Sequence, residues 1–187
     1  MSVLGLLVMC CTFARERASA DEAVADASPT TTINVFGSTM TVPAAFTAAE
    51  KQSRIIAHEF AASDDGGETA RVTMMAAGGG IQANLDRWKG QFGGDDKEIG
   101  DTKEFKSGPF NAYLLKVSGK YAETMGGGPF SGGRKVMRDN YAMLGAILVK
   151  PIAADGSGPS YFIKMIGPKS VIESNADAFE TMIKSVE

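Results

Sequence analysis

Hydrophobic and polar positions first alternate across residues 32–42. Residues 32–36 and 39–42 flank Gly37-Ser38, and glycine first in a two-residue loop suits a type II′ turn. That turn pairs Val35 with Met40 and Ile33 with Val42. The four apolar side chains then share one face, and Asn34, Phe36, Thr39 and Thr41 take the other. The pattern predicts a hairpin with one packed face. Strands are also expected over residues 54–60 and 70–77, joined by the turn-rich Ser63-Asp64-Asp65-Gly66-Gly67. Ile81, Leu85, Trp88 and Phe92 then recur at helical spacing, and Gly93-Gly94 is expected to stop that helix.

A second hairpin is expected over residues 102–106 and 110–118, turning at Ser107-Gly108-Pro109. Residues 119–140 lack clear periodicity and contain Gly126-Gly127-Gly128 and Gly132-Gly133, which predicts a long loop, either functional or merely mobile. Residues 141–149 form the most apolar strand, expected to be central, and residues 161–167 the last. The closing helix carries a capping box, Ser170 with Glu173, and a stripe of Ile172, Ala176, Phe179, Ile183 and Val186. The fold class is α+β: a mostly antiparallel sheet of about six to eight strands packed by two amphipathic helices.

The ending Tyr161-Phe162-Ile163-Lys164 … Phe179 … Met182-Ile183-Lys184-Ser185 resembles the PsbP-like fold. That α/β/α sandwich is shared by extrinsic photosystem II subunits, a Ran-binding import factor and many bacterial lipoproteins. The resemblance covers roughly residues 32–187. Residues 84–92 (NLDRWKGQF) also resemble exported bacterial proteins. The resemblance implies a non-enzymatic binding module and brings no catalytic residues with it.

The N-terminus points to export. Residues 3–13 (VLGLLVMCCTF) are apolar and uncharged, and Ala18-Ser19-Ala20 follows with the small-x-small pattern of a cleavage site. A signal peptide over residues 1–20, a flexible tether over 21–31 and one domain over 32–187 are the expectation. No basic residue precedes the apolar run, and Arg15-Glu16-Arg17 is unusually charged for this place. Cys10 and Cys11 both fall inside the leader, so cleavage before Asp21 leaves no thiol for a disulfide, a zinc site or a nucleophile. The alternative is a lipoprotein acylated at Cys10 or Cys11, although Met9 sits where a lipobox wants a small residue. The formal net charge is −3, with no basic block, which argues against nucleic-acid binding. No integral membrane span is expected after cleavage.

Candidate chemistry is sparse. His58 is the sole histidine, so triads and histidine-based metal sites are hard to build. An exported hydrolase using carboxylates with His58 is the enzymatic alternative. Gly78-Gly79-Gly80-Ile81-Gln82-Ala83 matches a dinucleotide pattern, but the polar residues 102–106 do not supply the buried parallel strand it requires. Asp64, Asp65 and Glu68, like Asp95, Asp96 and Glu98, lack the spacing of a calcium loop and read as solvated turns. Met74, Met75, Met143 and Met165 read as core filler. No catalytic, cofactor or metal residue is expected. The candidate partner-binding residues are Phe130, Arg134, Lys135 and Arg138, an aromatic and three cations within the 119–140 stretch. The expected function is an exported non-catalytic accessory or binding module for a protein or small-molecule partner.

Overall fold

The computed structural model describes residues 30–125 and 133–187. The leader, the tether as far as residue 29, and Phe130 lie outside them.

The described chain opens with a hairpin, β1 (Thr31–Val35) and β2 (Ser38–Val42). Its turn is Phe36-Gly37 rather than Gly37-Ser38. Both turn residues have positive φ, 48° and 87°, as in a type I′ turn, whose twist suits a two-residue hairpin. Ile33 therefore faces Met40, and Val35 faces Ser38. This register differs from the expected one by an even step, so Ile33, Val35, Met40 and Val42 keep their common buried face.

A short strand, β3 (Phe46–Ala48), follows without a clear sequence signal. Then come β4 (His58–Ser63) and β5 (Thr69–Ala77). Residues 54–57, expected as strand, are mostly turn, yet Ile56 is buried there. Helix α1 (Ile81–Lys89) ends at Gly90, earlier than its stripe suggested, and Phe92 begins β6 (Phe92–Ile99). Phe92 still packs with Leu85 and Trp88, which is why it completed the helical pattern. Gly93-Gly94 thus lie within a strand and do not stop the helix.

The largest correction concerns residues 119–140. After β7 (Lys103–Ser107), strand β8 runs unbroken from Phe110 to Met125. Strand β9 runs from Arg134 to Val149, and the two pair antiparallel from Asn111↔Val149 to Met125↔Arg134. Residues 119–125 and 134–140 of the expected loop are therefore the outer part of two long paired strands, and residues 126–132 lie outside the described residues. The side chains of that paired part are mostly exposed or half-buried on both faces, so no alternation marks it.

Strand β10 (Ser160–Pro168) leads into α2 (Lys169–Ser174) and α3 (Ala176–Lys184). The expected single helix breaks at buried Asn175, whose Nδ2 donates to the carbonyls of Ser63 and Val171, both at 2.9 Å. The capping box does not form: Pro168 occupies the cap, and the Ser170 hydroxyl donates to Asp64 at 3.1 Å.

The main sheet has eight strands in the order β3-β4-β5-β10-β9-β8-β6, with β7 also on β8. Every pair is antiparallel. Alternation along β10 builds a core on each face. Tyr161, Ile163 and Met165 join the layer of α2, α3 and the β1–β2 hairpin, whereas Phe162 packs beneath α1 with Trp88. The hairpin is tied in by the chain end: Thr39 and Glu187 exchange N–H···O bonds of 2.8 and 3.0 Å. Helices on both faces of an antiparallel sheet make a sandwich of the kind that the PsbP-like resemblance implied, with three described helices where two were expected. Met74, Met143 and Met165 are fully buried, as core filler should be.

Trp88 lies against Gly145 so closely that an added Cβ would stand 2.6 Å from its ring. Gly145→Ala is expected to destabilise the domain by about 1–3 kcal/mol through overpacking. A lowered urea midpoint with an unchanged slope is the signature; an unchanged midpoint would mean the ring yields freely.

Candidate functional site

Strand pairing makes one part of the fold stand apart. The last β9–β10 pair is Tyr141↔Pro168 and the last β6–β8 pair is Phe92↔Tyr121. Beyond these, residues 122–125 pair with 134–137 as a two-stranded arm, tied at its base by a bond of 3.0 Å from the Ala122 N–H to the Gln91 carbonyl. At its base the register shifts between Gly119 and Tyr121. Gly119 has φ of 136°, and a Cβ there would meet the Gly93 carbonyl at 2.7 Å. The extra residue is on β9, where Asp139 and Asn140 oppose Lys120 and Asn140 has φ of 55°; such a β-bulge bends the strand that carries it.

Between this arm and β4–β5 lies an open cleft of about 490 Å³. Glu123, Thr124 and Met125 line it from the arm, and Glu50 and Gln52 from the opposite side. Its floor is the α1 face of the sheet just past the helix: Glu59, Arg71, Ile166, Tyr121 and Tyr141. The two tyrosine rings stack with centroids 6.0 Å apart, and Phe92 packs against Tyr121 at 5.2 Å.

The floor's charges are organised around one pair. The Glu59 side chain is only 2% exposed, whereas that of Arg71 is 39% exposed. Arg71 Nε donates to Glu59 Oε1, and the Gln52 backbone N–H donates to Oε2 at 2.9 Å. The Arg71 hydrogen bond holds the Glu59 carboxyl below the usual carboxylate range, aided by Gln52 and against the opposing effect of burial. Neither Nη of Arg71 has a hydrogen-bond partner among the described residues. Burial raises the Tyr121 phenol above its ordinary value, and the charge of Glu123 adds to that. Its hydroxyl therefore stays a neutral donor at pH 7.

Lys164 stands next to the cleft on β10, in register with Thr73 and Gly145. It is half-buried. Its Nζ donates to Gln91 Oε1 at 3.0 Å and lies 5.7 Å from the Trp88 ring centre. Burial, with the nearby charges of Arg87 and Arg71, lowers its pKa to about 8.

Of the residues expected from sequence, Arg134 and Lys135 are exposed on the arm. Arg138 bonds Glu123 at 2.8 Å, so it braces the arm rather than standing free. Phe130 lies outside the described residues. His58 falls on the other face: strand alternation sets it with Phe60 and Ala62, away from Glu59 and the cleft. Burial, then the charge of Lys51, lowers its pKa. A neighbouring cation is the wrong companion for a catalytic base. At the triple glycine, the Asn84 amide donates to the carbonyls of Gly78 and Gly80, and both neighbours of β5 are antiparallel. No parallel dinucleotide unit exists there. Asp64 caps its own turn by accepting from the Glu68 N–H, and Glu98 is paired with Lys169. Among the described residues no carboxylate, histidine or cysteine cluster could hold a metal, and no helix is long and apolar enough to cross a membrane.

Sequence reasoning missed Glu59, Arg71, Lys164, Tyr121 and Tyr141. The available signal was a lone charge inside an apolar strand, as in Tyr161-Phe162-Ile163-Lys164-Met165-Ile166. Long charged residues are almost never buried unless paired.

Among solved structures, the solution structure of cyanobacterial PsbP (CyanoP) from Synechocystis sp. PCC 6803 is similar over 90% of this chain and 97% of that one. The identity is 12% and the TM-score 0.48. That likeness says nothing of ligand or partner. No family model and no curated protein matches the chain.

Two predictions follow from the charges. Arg71→Ala strands a buried carboxylate and should cost roughly 3–5 kcal/mol. Glu59→Ala leaves a guanidinium that water reaches and should cost less, roughly 1–3 kcal/mol. Equal losses in chemical denaturation would contradict the assigned burial. For Lys164, the unfolded state keeps its proton up to its ordinary 10.5 while the native state releases it near 8. Between those values the unfolded state binds more protons, so native stability rises with pH. The wild type should therefore gain stability relative to Lys164→Met across that window, and a flat difference would contradict the lowered pKa.

Proposed function

We propose that this chain is an exported, non-catalytic binding module that engages an envelope partner with the β8–β9 arm and the cleft at its base. One observation carries the reading: the arm runs past the ends of its neighbouring strands and borders a cleft of about 490 Å³, within the size range of ligand sites. Arg134 and Lys135 are exposed on that arm and are placed to meet an acidic surface. Phe130, in the same stretch of sequence, adds an aromatic of the kind that anchors interfaces. Export rests on the apolar leader and on Ala18-Ser19-Ala20.

Arg134→Glu combined with Lys135→Glu is expected to abolish recovery of the partner that co-purifies with the tagged chain from the envelope fraction. Lys103→Glu, against α3, should leave recovery intact. Recovery unaffected by the arm variant would remove the arm from the interface. Intact mass of the exported chain tests the leader: a chain beginning at Asp21 supports cleavage there, whereas an acylated Cys10 or Cys11 would make this a lipoprotein.

A further inference from the structure

We propose that the cleft at the base of the arm is a binding site for a small monocarboxylate with an apolar or aromatic body, anchored by the free end of Arg71. This rests on the reading of the cleft as a binding surface and names what it would take. Arg71 lines the cleft and uses only Nε to hold Glu59, and its terminal nitrogens have no partner among the described residues. A guanidinium fixed at one edge presents a rigid, planar fork at the other, a geometry that suits a carboxylate bidentately.

Three carboxylates line the cleft, and two are already engaged. Glu59 is held by Arg71 and the Gln52 N–H, and Glu123 is held by Arg138. Glu50 is exposed. Arg71 keeps its remaining donors, and Lys164 lies one row further along the same sheet face, beside the cleft. Its low pKa comes first from burial and then from the charges of Arg87 and Arg71, and an anion bound at Arg71 would relieve part of that repulsion. Tyr121 supplies a hydroxyl donor in the same cleft. The stacked rings of Tyr121 and Tyr141, together with Ile166 and Met125, form the apolar wall for the body of the ligand.

The test is NMR titration of the purified domain with benzoate, benzyl alcohol and inorganic phosphate, following the Arg71 Nε–Hε signal and the Lys164 pKa. Benzoate is expected to shift the Arg71 signal saturably and to raise the Lys164 pKa. Benzyl alcohol and phosphate are expected to do neither. Arg71→Lys keeps a cation for Glu59 but loses the fork, and should weaken benzoate binding at least about tenfold while the fold survives. Failure of benzoate to saturate would overturn the proposal, as would an equal response to benzyl alcohol or to phosphate. Arg134→Glu with Lys135→Glu separates the two readings. Its loss of the partner with benzoate binding intact leaves the cleft site standing. Partner loss in a protein that never bound benzoate sinks the cleft site alone.

Discussion

The structure depends on one mismatch of lengths. The sheet needs cover on both faces, because β9 and β10 are flanked by strands and apolar on both sides. One face is fully served by α2, α3 and the β1–β2 hairpin. Among the described residues the other has only α1, whose nine residues span about 14 Å at 1.5 Å per residue. The nine residues of β10 alone run about 30 Å. The helix therefore covers Phe162 and leaves Lys164 and Ile166 near or beyond its end. That uncovered floor is where Arg71, Glu59, Tyr121 and Tyr141 gather, and the bulged arm walls it in.

The same mismatch accounts for the charges. Trp88 sits near the end of α1, seated against Gly145, and Lys164 follows directly beneath its rim. A lysine there gains the ring face and Gln91 but loses water. Thr73 and Gly145 flank it in the sheet and bring no counter-charge. One row further on, Arg71 has such a counter-charge in Glu59, because β4 places a carboxylate on the same face. The pair costs desolvation, and its geometry offsets that cost only while both partners remain.

What was legible in the sequence divides along physical lines. Elements with a regular burial pattern were readable: the alternation of β1 and β2, the stripe of α1, and the apolar run of β9 from Tyr141 onward, which is buried on both faces. Faces survived even where turns did not, since a register change by an even number preserves them. Phe36 with positive φ was not readable, because a phenylalanine there is rare. The arm was invisible for the opposite reason. Residues 134–140 are exposed or half-buried on both faces, so hydrophobicity carries no period. Strand β6 (FGGDDKEI) reads as a turn by composition, and only its pairing with β8 makes it a strand. The broken C-terminal helix follows the same rule: Ser170 had a local partner in Glu173, and tertiary contact gave it Asp64. Site residues were hidden because their meaning lies in strands far apart in sequence.

Lys164 is the group that most invites a catalytic reading, since a lysine titrating near 8 falls where general bases operate. Its position argues otherwise. Nζ is engaged by Gln91 and sheltered by Trp88, and Lys164 does not line the cleft. A base must reach the proton it takes, and geometry precedes pKa in that judgement. Glu59 is also unsuited: both oxygens are occupied, and its carboxyl is held ionised against protonation. His58 faces the opposite layer. What remains directed into the cleft is the donor end of a fixed guanidinium beside stacked rings. Those groups can hold and orient an anion but have no proton to exchange near neutral pH. An arrangement of that kind fits the binding role proposed for the cleft.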